Sequence, residues 1–250
     1  MMPQTAGALR LFSLFGIHVF LHWSWFFLLL FVWSTYTLRY DTFAWGVVEI
    51  AAIFALVTMH EFGHALACRS VGGRADRIVL WPLGGVAFVQ PPKRPGAVLW
   101  SIVAGPLVNV ILIPITVAIM WVIVPIEQVR EAQNFAMLLR QLNNVETLVL
   151  IITLVNVMML VFNLLPAFPL DGGQILHALL WFRIGHAHSL LVAAQVGLGL
   201  AIVGGAAALF LLGSIWLLIL AAFIGFNSFH AIRTARFLIY QEYVENDPWR

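Results

Sequence analysis

The chain has 250 residues, of which 62% are hydrophobic and only 10% charged, with 13 Lys plus Arg against 11 Asp plus Glu. Soluble domains are roughly 45–50% apolar and about 25% charged, so this composition excludes an ordinary water-soluble protein and indicates a lipid bilayer as the solvent. A single cysteine excludes an internal disulfide framework. The net charge of +2 gives no support to nucleic-acid binding, and we expect no nucleic-acid partner.

Six stretches are predicted to be transmembrane helices, each of which needs about 20 mostly apolar residues. They cover residues 17–38, 43–70, 95–124, 147–165, 189–211 and 214–235. The last two come from one apolar block that is too long for a single helix. We place the break near Leu212-Gly213-Ser214, with Gly204-Gly205 as the alternative. The sequence therefore predicts an all-α polytopic membrane protein, with one membrane-embedded domain over residues 1–236 and a short cytoplasmic tail over residues 237–250.

The basic residues are distributed unevenly between the two sides of this six-span arrangement. Only Arg39, Arg130 and Arg140 fall on the side opposite the termini. The other ten share the side of the termini: Arg10, Arg69, Arg74, Arg77, Lys93, Arg94, Arg183, Arg233, Arg236 and Arg250. Because cytoplasmic loops carry the excess of Lys and Arg, we expect a multi-pass protein of the cell membrane with both termini in the cytoplasm.

A Gly- and Pro-rich segment, GGRADRIVLWPLGGVAFVQPPKRPG, separates the second and third predicted spans. Its β-prone pieces RIVLW and VAFVQ flank Pro82-Leu83-Gly84-Gly85, which predicts a β-hairpin. The segment is too apolar for a freely solvated loop and too broken to span a bilayer. We therefore expect a membrane-associated hairpin that enters a cavity of the protein, because non-helical backbone at that depth needs protein or water around it. The alternative is an interfacial loop anchored by Trp81 and Phe88.

The second predicted span contains a dense group of ionisable residues, His60-Glu61-Phe62-Gly63-His64. Ionisable side chains inside an apolar span are costly, at about 2.5 to 3.5 kcal/mol each, so they indicate a function. Histidines four residues apart share one helix face and can bind one Zn²⁺. Zinc lowers the pKa of a bound water to about 7, and the adjacent Glu61 is placed to accept its proton and pass one to a leaving amine.

Catalytic zinc sites use three protein ligands, so two histidines leave one ligand to be found. Asp171 is the leading candidate, because its segment ends at the cytoplasmic level where His60 and His64 also lie. Pro166 and Pro169 are expected to break the helix there, and the glycines that follow Asp171 allow close backbone approach. The alternative is that Asp171 caps the helix formed by QILHALLWF, a role compatible with metal ligation.

Four motifs occur together in one order: HEFGH at 60–64, WPLGGVAF at 81–88, AGPLVN at 104–109 and NLLPAFPLDGG at 163–173. Over residues 12–180 the chain resembles the site-2 protease family of intramembrane zinc metalloproteases. The resemblance implies that His60, His64 and Asp171 hold one Zn²⁺ per chain, with Glu61 as the catalytic base. It further implies that Asn163 positions substrate or the oxyanion. The segment of Gly84 and Gly85 is then the hairpin that pairs with an unwound substrate strand.

The resemblance implies an intramembrane zinc endopeptidase that cleaves a transmembrane segment of a membrane-protein substrate, within or near the bilayer, and releases a cytoplasmic fragment. The chain has no room for a PDZ domain or a cystathionine-synthase-type domain, so we expect a minimal prokaryotic-type core, while the oligomeric state stays undefined. Two alternatives use the same residues. One is an inactive membrane scaffold, and the other is a metal transporter, because intramembrane His and Asp also mark ion pathways. A prenyl-protein protease is disfavoured because its third ligand is expected to be a glutamate.

Overall fold

The computed structural model describes residues 7–81 and 84–245. Contacts within the chain define two compact units. The first contains residues 1–91 and 104–160, and the second contains residues 92–103 and 161–250.

The first unit contains a four-stranded sheet in the order β1-β2-β3-β4. Its strands are β1 (Ala8–Leu14), β2 (Ile17–His22), β3 (Arg74–Trp81) and β4 (Gly84–Gln90). The central strands β2 and β3 run parallel, whereas β1 and β4 pair antiparallel with their neighbours. Among the described strands, β4 therefore pairs on one side only and forms an edge of the sheet. The antiparallel pairing of β3 with β4 confirms that the two β-prone pieces are strands, and Pro82 and Leu83 between them lie outside the described residues.

The first predicted span is wrong in its first third. Residues Ile17–His22 form β2, and the helix that follows, α1 (Trp25–Thr35), is extended to Leu38 only by a short 3₁₀ turn. Ile17 and Val19 are completely buried while the residues beside them are partly exposed, which is the two-residue period of a strand. The parallel pairing with β3 supplies the backbone hydrogen bonds that a helix would otherwise provide for this segment.

In the first unit, the long helix α2 (Phe43–Ser70) packs against the sheet. The helices that fall wholly or partly in this unit are α1, α2 (Phe43–Ser70), α3 (Pro95–Ile123), α4 (Ile126–Glu131), α5 (Phe135–Gln141) and α6 (Asn144–Asn163). A buried cluster joins Phe62, Ala65 and Cys68 of α2 to Ile17 of β2 and Ile78 of β3. This packing holds the HEFGH segment of α2 beside the sheet.

The second unit is built from α7 (Asp171–Ile184), α8 (His186–Ala207), a π-helical turn (Ala208–Leu212) and α9 (Ile215–Glu245). Its long helices are separated at Gly213, whose φ of +60° places it in the left-handed region that favours glycine. The break therefore falls at the predicted Leu212-Gly213-Ser214 position, and the alternative Gly204-Gly205 lies inside α8. The predicted tail from residue 237 is helical as far as Glu245, and residues 246–250 lie outside the described part.

Within residues 7–81 and 84–245, five helices are long and apolar enough to cross a membrane by length and composition. They are Phe43–Ser70, Pro95–Ile123, Asn144–Asn163, His186–Leu212 and Ile215–Glu245. The apolar helix Trp25–Leu38 is shorter than the others. The protein is therefore mostly helical with a small sheet, and the first predicted span (17–38) is the one that corresponds to this shorter helix.

Candidate metal centre

The two histidines of the HEFGH segment face each other on α2. His60 and His64 are 2% and 5% exposed, and Glu61 beside them is 5% exposed. One helical turn separates the two rings, and their Nε2 atoms lie 3.1 Å apart. Two zinc ligands at about 2.0–2.1 Å in tetrahedral geometry would have their nitrogens about 3.3 Å apart, so this pair is already spaced to share one ion.

Two glycines bring α2 and α3 close together at this level. A Cβ on Gly63 of α2 would collide with the backbone oxygen of Ala104 on α3. A Cβ on Gly105 would collide with the imidazole of His64. The glycine of the AGPLVN motif therefore provides the space that the second histidine ring occupies.

A further contact of α3 selects one tautomer of the His60 ring. Asn109 places its Oδ1 2.6 Å from Nδ1 of His60. Because an amide oxygen can only accept, Nδ1 carries the ring proton and donates it, which leaves a lone pair on Nε2 facing His64. This is the form of histidine that binds a metal ion, so the donor chemistry fits zinc.

Glu61 is held against the edge strand of the sheet. Its Oε2 accepts a hydrogen bond of 2.7 Å from the backbone N–H of Ala87 in β4. A Cβ on Gly85 would collide with the carboxyl group of Glu61, so this position of the strand needs a glycine. Gly84, in contrast, has open space around the position of a Cβ and a φ of +145°. The structure thus places Gly85, but not Gly84, against the predicted catalytic carboxylate.

Asp171 is the first residue of α7 and is 8% exposed. Leu170 precedes the helix in the capping position, so Asp171 is a first-turn residue and not the cap that the alternative interpretation required. Cβ atoms on Gly172 and Gly173 would collide with the backbone of residues 164–168, which confirms that both glycines permit close backbone approach. The segment between Asn163 and Asp171 is non-helical, as its prolines predict.

Among the residues that the structure describes, one group of side chains could hold a metal ion, namely His60, His64 and Asp171. All three are buried, and their candidate ligand atoms lie within 4.8 Å of one another. Two imidazoles and one carboxylate form a donor set used by catalytic zinc sites, which keep the fourth position for water or substrate. Asn163 ends α6 in a half-buried position.

The helix that begins at Asp171 also carries a buried histidine, His177. His177 lies 2.9 Å from the hydroxyl of Ser189 on α8, and that hydroxyl donates to the backbone oxygen of His186. Burial, and to a smaller extent the nearby ring of His186, lower the pKa of His177 to about 4. The residue is therefore neutral at pH 7 and joins α7 to α8.

Known proteins share these features. The model of peptidase family M50 matches residues 48–204, which include the HEFGH segment and Asp171. The zinc metalloprotease MJ0392 of Methanocaldococcus jannaschii is 34% identical over 78% of this chain and 52% of its own length. Rip3 of Mycobacterium tuberculosis is 32% identical over 90% of this chain and 58% of its own length. The chain thus spans between half and three fifths of these relatives.

One solved structure resembles this chain in both its fold and its sequence. The site-2 protease from Methanocaldococcus jannaschii matches with a TM-score of 0.58 and 29% identity, over 90% of this chain and 95% of that chain. This chain belongs to peptidase family M50, the site-2 protease family of zinc metalloproteases, and its apolar helices make it a multi-pass membrane protein.

Proposed function

We propose that this protein is an intramembrane zinc endopeptidase, which hydrolyses peptide bonds within or near a transmembrane segment of a membrane-protein substrate. In this proposal one zinc ion per chain is held by His60, His64 and Asp171. The proximity of their ligand atoms supports this assignment, as does the buried Glu61 next to His60.

The proposed chemistry divides between the ion and the protein. Zinc supplies a Lewis acid that polarises a carbonyl and makes a water acidic near neutral pH. Glu61 accepts the proton of the attacking water and then donates a proton to the leaving amine, as a general base followed by a general acid. Its burial removes competing solvent, and the Ala87 N–H fixes one of its oxygens.

One observation carries the proposal, namely the hydrogen bond between Glu61 and the edge strand β4. Because the N–H of Ala87 points to Glu61 and away from β3, the backbone of Gly85, two residues earlier, points the same way. A substrate segment that adds to the β4 edge would then run alongside the catalytic carboxylate. Backbone pairing of this kind would also unwind a helical substrate and make its peptide bond accessible.

Three further residues enter the proposal as substrate contacts. Gly84 and Gly85 have no side chains, and this permits an added strand to approach β4 closely. Asn163 supplies an amide N–H for substrate or for the oxyanion, from the end of α6 just before the segment that leads to Asp171.

The distribution of basic residues supports an orientation with both termini in the cytoplasm of a cell-membrane protein. A cut near the level of the histidines would then release a cytoplasmic fragment. The partners are therefore a transmembrane substrate and the lipid bilayer.

A test compares the purified protein with Glu61→Gln in two assays. The first follows cleavage of quencher-labelled β-casein, an unstructured chain that needs no unwinding. The second co-expresses single-span membrane proteins tagged at both ends and detects fragments by immunoblot. We expect Glu61→Gln to retain one zinc per chain by mass spectrometry and to lose cleavage in both assays. A chelator should abolish cleavage by the unaltered protein.

Equal cleavage by the variant would overturn the assigned role of Glu61. A protein that binds zinc but cleaves neither probe would favour the scaffold alternative. Zinc flux into vesicles reconstituted with the protein would favour a transporter.

A further inference from the structure

Two asparagines on apolar helices are completely buried. Asn109 on α3 and Asn156 on α6 each have 0% exposure. Both helices are long and apolar enough to cross a membrane, where polar side chains are rare and indicate a function. The resemblance assigned no role to either residue.

The two amides form a hydrogen-bonded chain that ends on a proposed zinc ligand. Asn156 Oδ1 accepts from Asn109 Nδ2 at 2.8 Å, and Asn109 Oδ1 accepts from Nδ1 of His60 at 2.6 Å. The second polar atom of Asn156, Nδ2, is buried without a partner among the described residues. This side chain is thus kept in an apolar helix although one of its two polar atoms is unpaired, so the bond to Asn109 is the interaction that accounts for it.

The direction of these hydrogen bonds is essential, because an asparagine amide can present either its oxygen or its NH₂ group to a histidine. If Asn109 were turned around, its NH₂ would face His60 and favour an Nδ1 lone pair, which places the ring proton on Nε2. That proton would point at His64 and prevent Nε2 from binding a metal ion. In the structure Asn156 presents its Oδ1 to the other end of Asn109, and as long as it does so the reversed orientation of Asn109 would set two acceptor oxygens against each other.

We propose that Asn109 and Asn156 form a positioning relay that holds His60 in the metal-binding tautomer and ring orientation, with Asn156 fixing the amide of Asn109. The inference rests on the proposed zinc site. It assigns neither asparagine a contact with substrate or with the metal ion itself. Histidine ligands in metal sites generally donate their second ring N–H to such an acceptor, and loss of the acceptor typically lowers metal affinity 10- to 100-fold.

The test uses the full chain, purified in detergent, and four variants. Asn109→Leu removes the acceptor at similar volume, whereas Asn109→Asp keeps acceptors at both ends and cannot present a donor when ionised. Asn156→Leu removes the orienting acceptor, and the fourth variant combines Asn156→Leu with Asn109→Asp. Zinc affinity is measured by competition with a chromophoric chelator, and the site is also examined through the visible absorption of bound Co²⁺.

We expect Asn109→Leu to weaken zinc binding about 10- to 100-fold and to change the Co²⁺ spectrum, while Asn109→Asp stays within about threefold of the unaltered chain. Asn156→Leu should weaken zinc binding when residue 109 is asparagine. It should have no further effect when residue 109 is aspartate, because a carboxylate needs no orientation.

Unchanged zinc affinity in Asn109→Leu would overturn the relay. An equal loss from Asn156→Leu in both backgrounds would also overturn it, because that pattern indicates packing alone. If Asn109→Leu does not fold, the relay is still tested by comparing the effect of Asn156→Leu on zinc affinity with asparagine and with aspartate at residue 109. Since these measurements follow zinc and not proteolysis, their failure is distinguishable from that of the Glu61→Gln experiment, in which the relay is intact.

Discussion

The backbone N–H of Ala87 in the edge strand β4 donates to the carboxylate of Glu61 on α2 over 2.7 Å. The sheet and the proposed catalytic base are therefore in direct contact, and a change in the strand can alter the base without touching the histidines.

The first prediction concerns the closest position of that strand. Gly85→Ala should reduce cleavage of β-casein at least about tenfold, because the added Cβ would displace the Glu61 carboxyl group. Zinc content should stay at the level of the unaltered protein. Val86→Ala is the matched control, since Val86 is the next residue of β4 and is 47% exposed. Normal cleavage by Gly85→Ala would show that the carboxylate can move without loss of function.

A second prediction concerns the close contact of α2 and α3. Gly63→Ala should destabilise the protein by about 1 to 3 kcal/mol, because the new methyl group meets the backbone oxygen of Ala104, which cannot rotate away. Gly199→Ala on α8 is the control, because a Cβ there has open space around it. Unfolding in a mixed-micelle SDS titration measures both. A Gly63→Ala protein as stable as the control would contradict the close packing.

A third prediction concerns a buried ion pair at the start of α2. Arg39 lies 3.2 Å from Glu49, whose side chain is 7% exposed. The pair accounts for the charge of Glu49 among the apolar residues of the first half of α2. Arg39→Met should cost about 3 kcal/mol because it leaves the carboxylate without its partner. The double variant with Glu49→Met should recover most of this loss, and a double variant as unstable as the single one would show that the ion pair is not the cause.

A fourth prediction follows from the lowered pKa of His177, about 4 in the folded protein against 6.5 ordinarily. Between these values the unfolded chain binds a proton that the folded chain does not, so stability falls as the pH falls from about 6.5 to about 4. The slope from this residue is at most about 1.4 kcal/mol per pH unit, and its contribution is constant above pH 7. His177→Asn, which retains a donor toward Ser189, should flatten unfolding free energy against pH in this window. An unchanged slope would contradict the assignment.

The sequence predicts the parts of the structure that have strong local signals. The HEFGH spacing, the two β-prone pieces of the hairpin and the glycine break before α9 each depend on a few neighbouring residues. The first strand pair was missed for the opposite reason. The IHVFLH segment runs directly into the apolar residues of α1, so length favoured one helix, and its two-residue period appears only in the burial pattern.

The asparagine relay could not be predicted because its bonds join residues 49 and 47 positions apart. A buried asparagine in an apolar helix is a detectable signal, since polar residues are costly there. The partner of each asparagine depends on how the helices pack, which the local sequence does not specify. The same limit applies to Gly105, whose contact with His64 depends on the packing of α3 against α2.

The contacts between α2 and α3 have a consistent antiparallel register: Gly105 lies against His64, and Asn109, one turn later, lies against His60, one turn earlier. The four-residue spacing of the histidines is thus matched by a four-residue spacing on the facing helix. One residue inserted between Gly105 and Asn109 would rotate the asparagine by about 100° around the axis of α3. A homologue with such an insertion would retain every polar residue of the motif and still lose the pairing, so the distance between these two residues carries information that their identities alone do not.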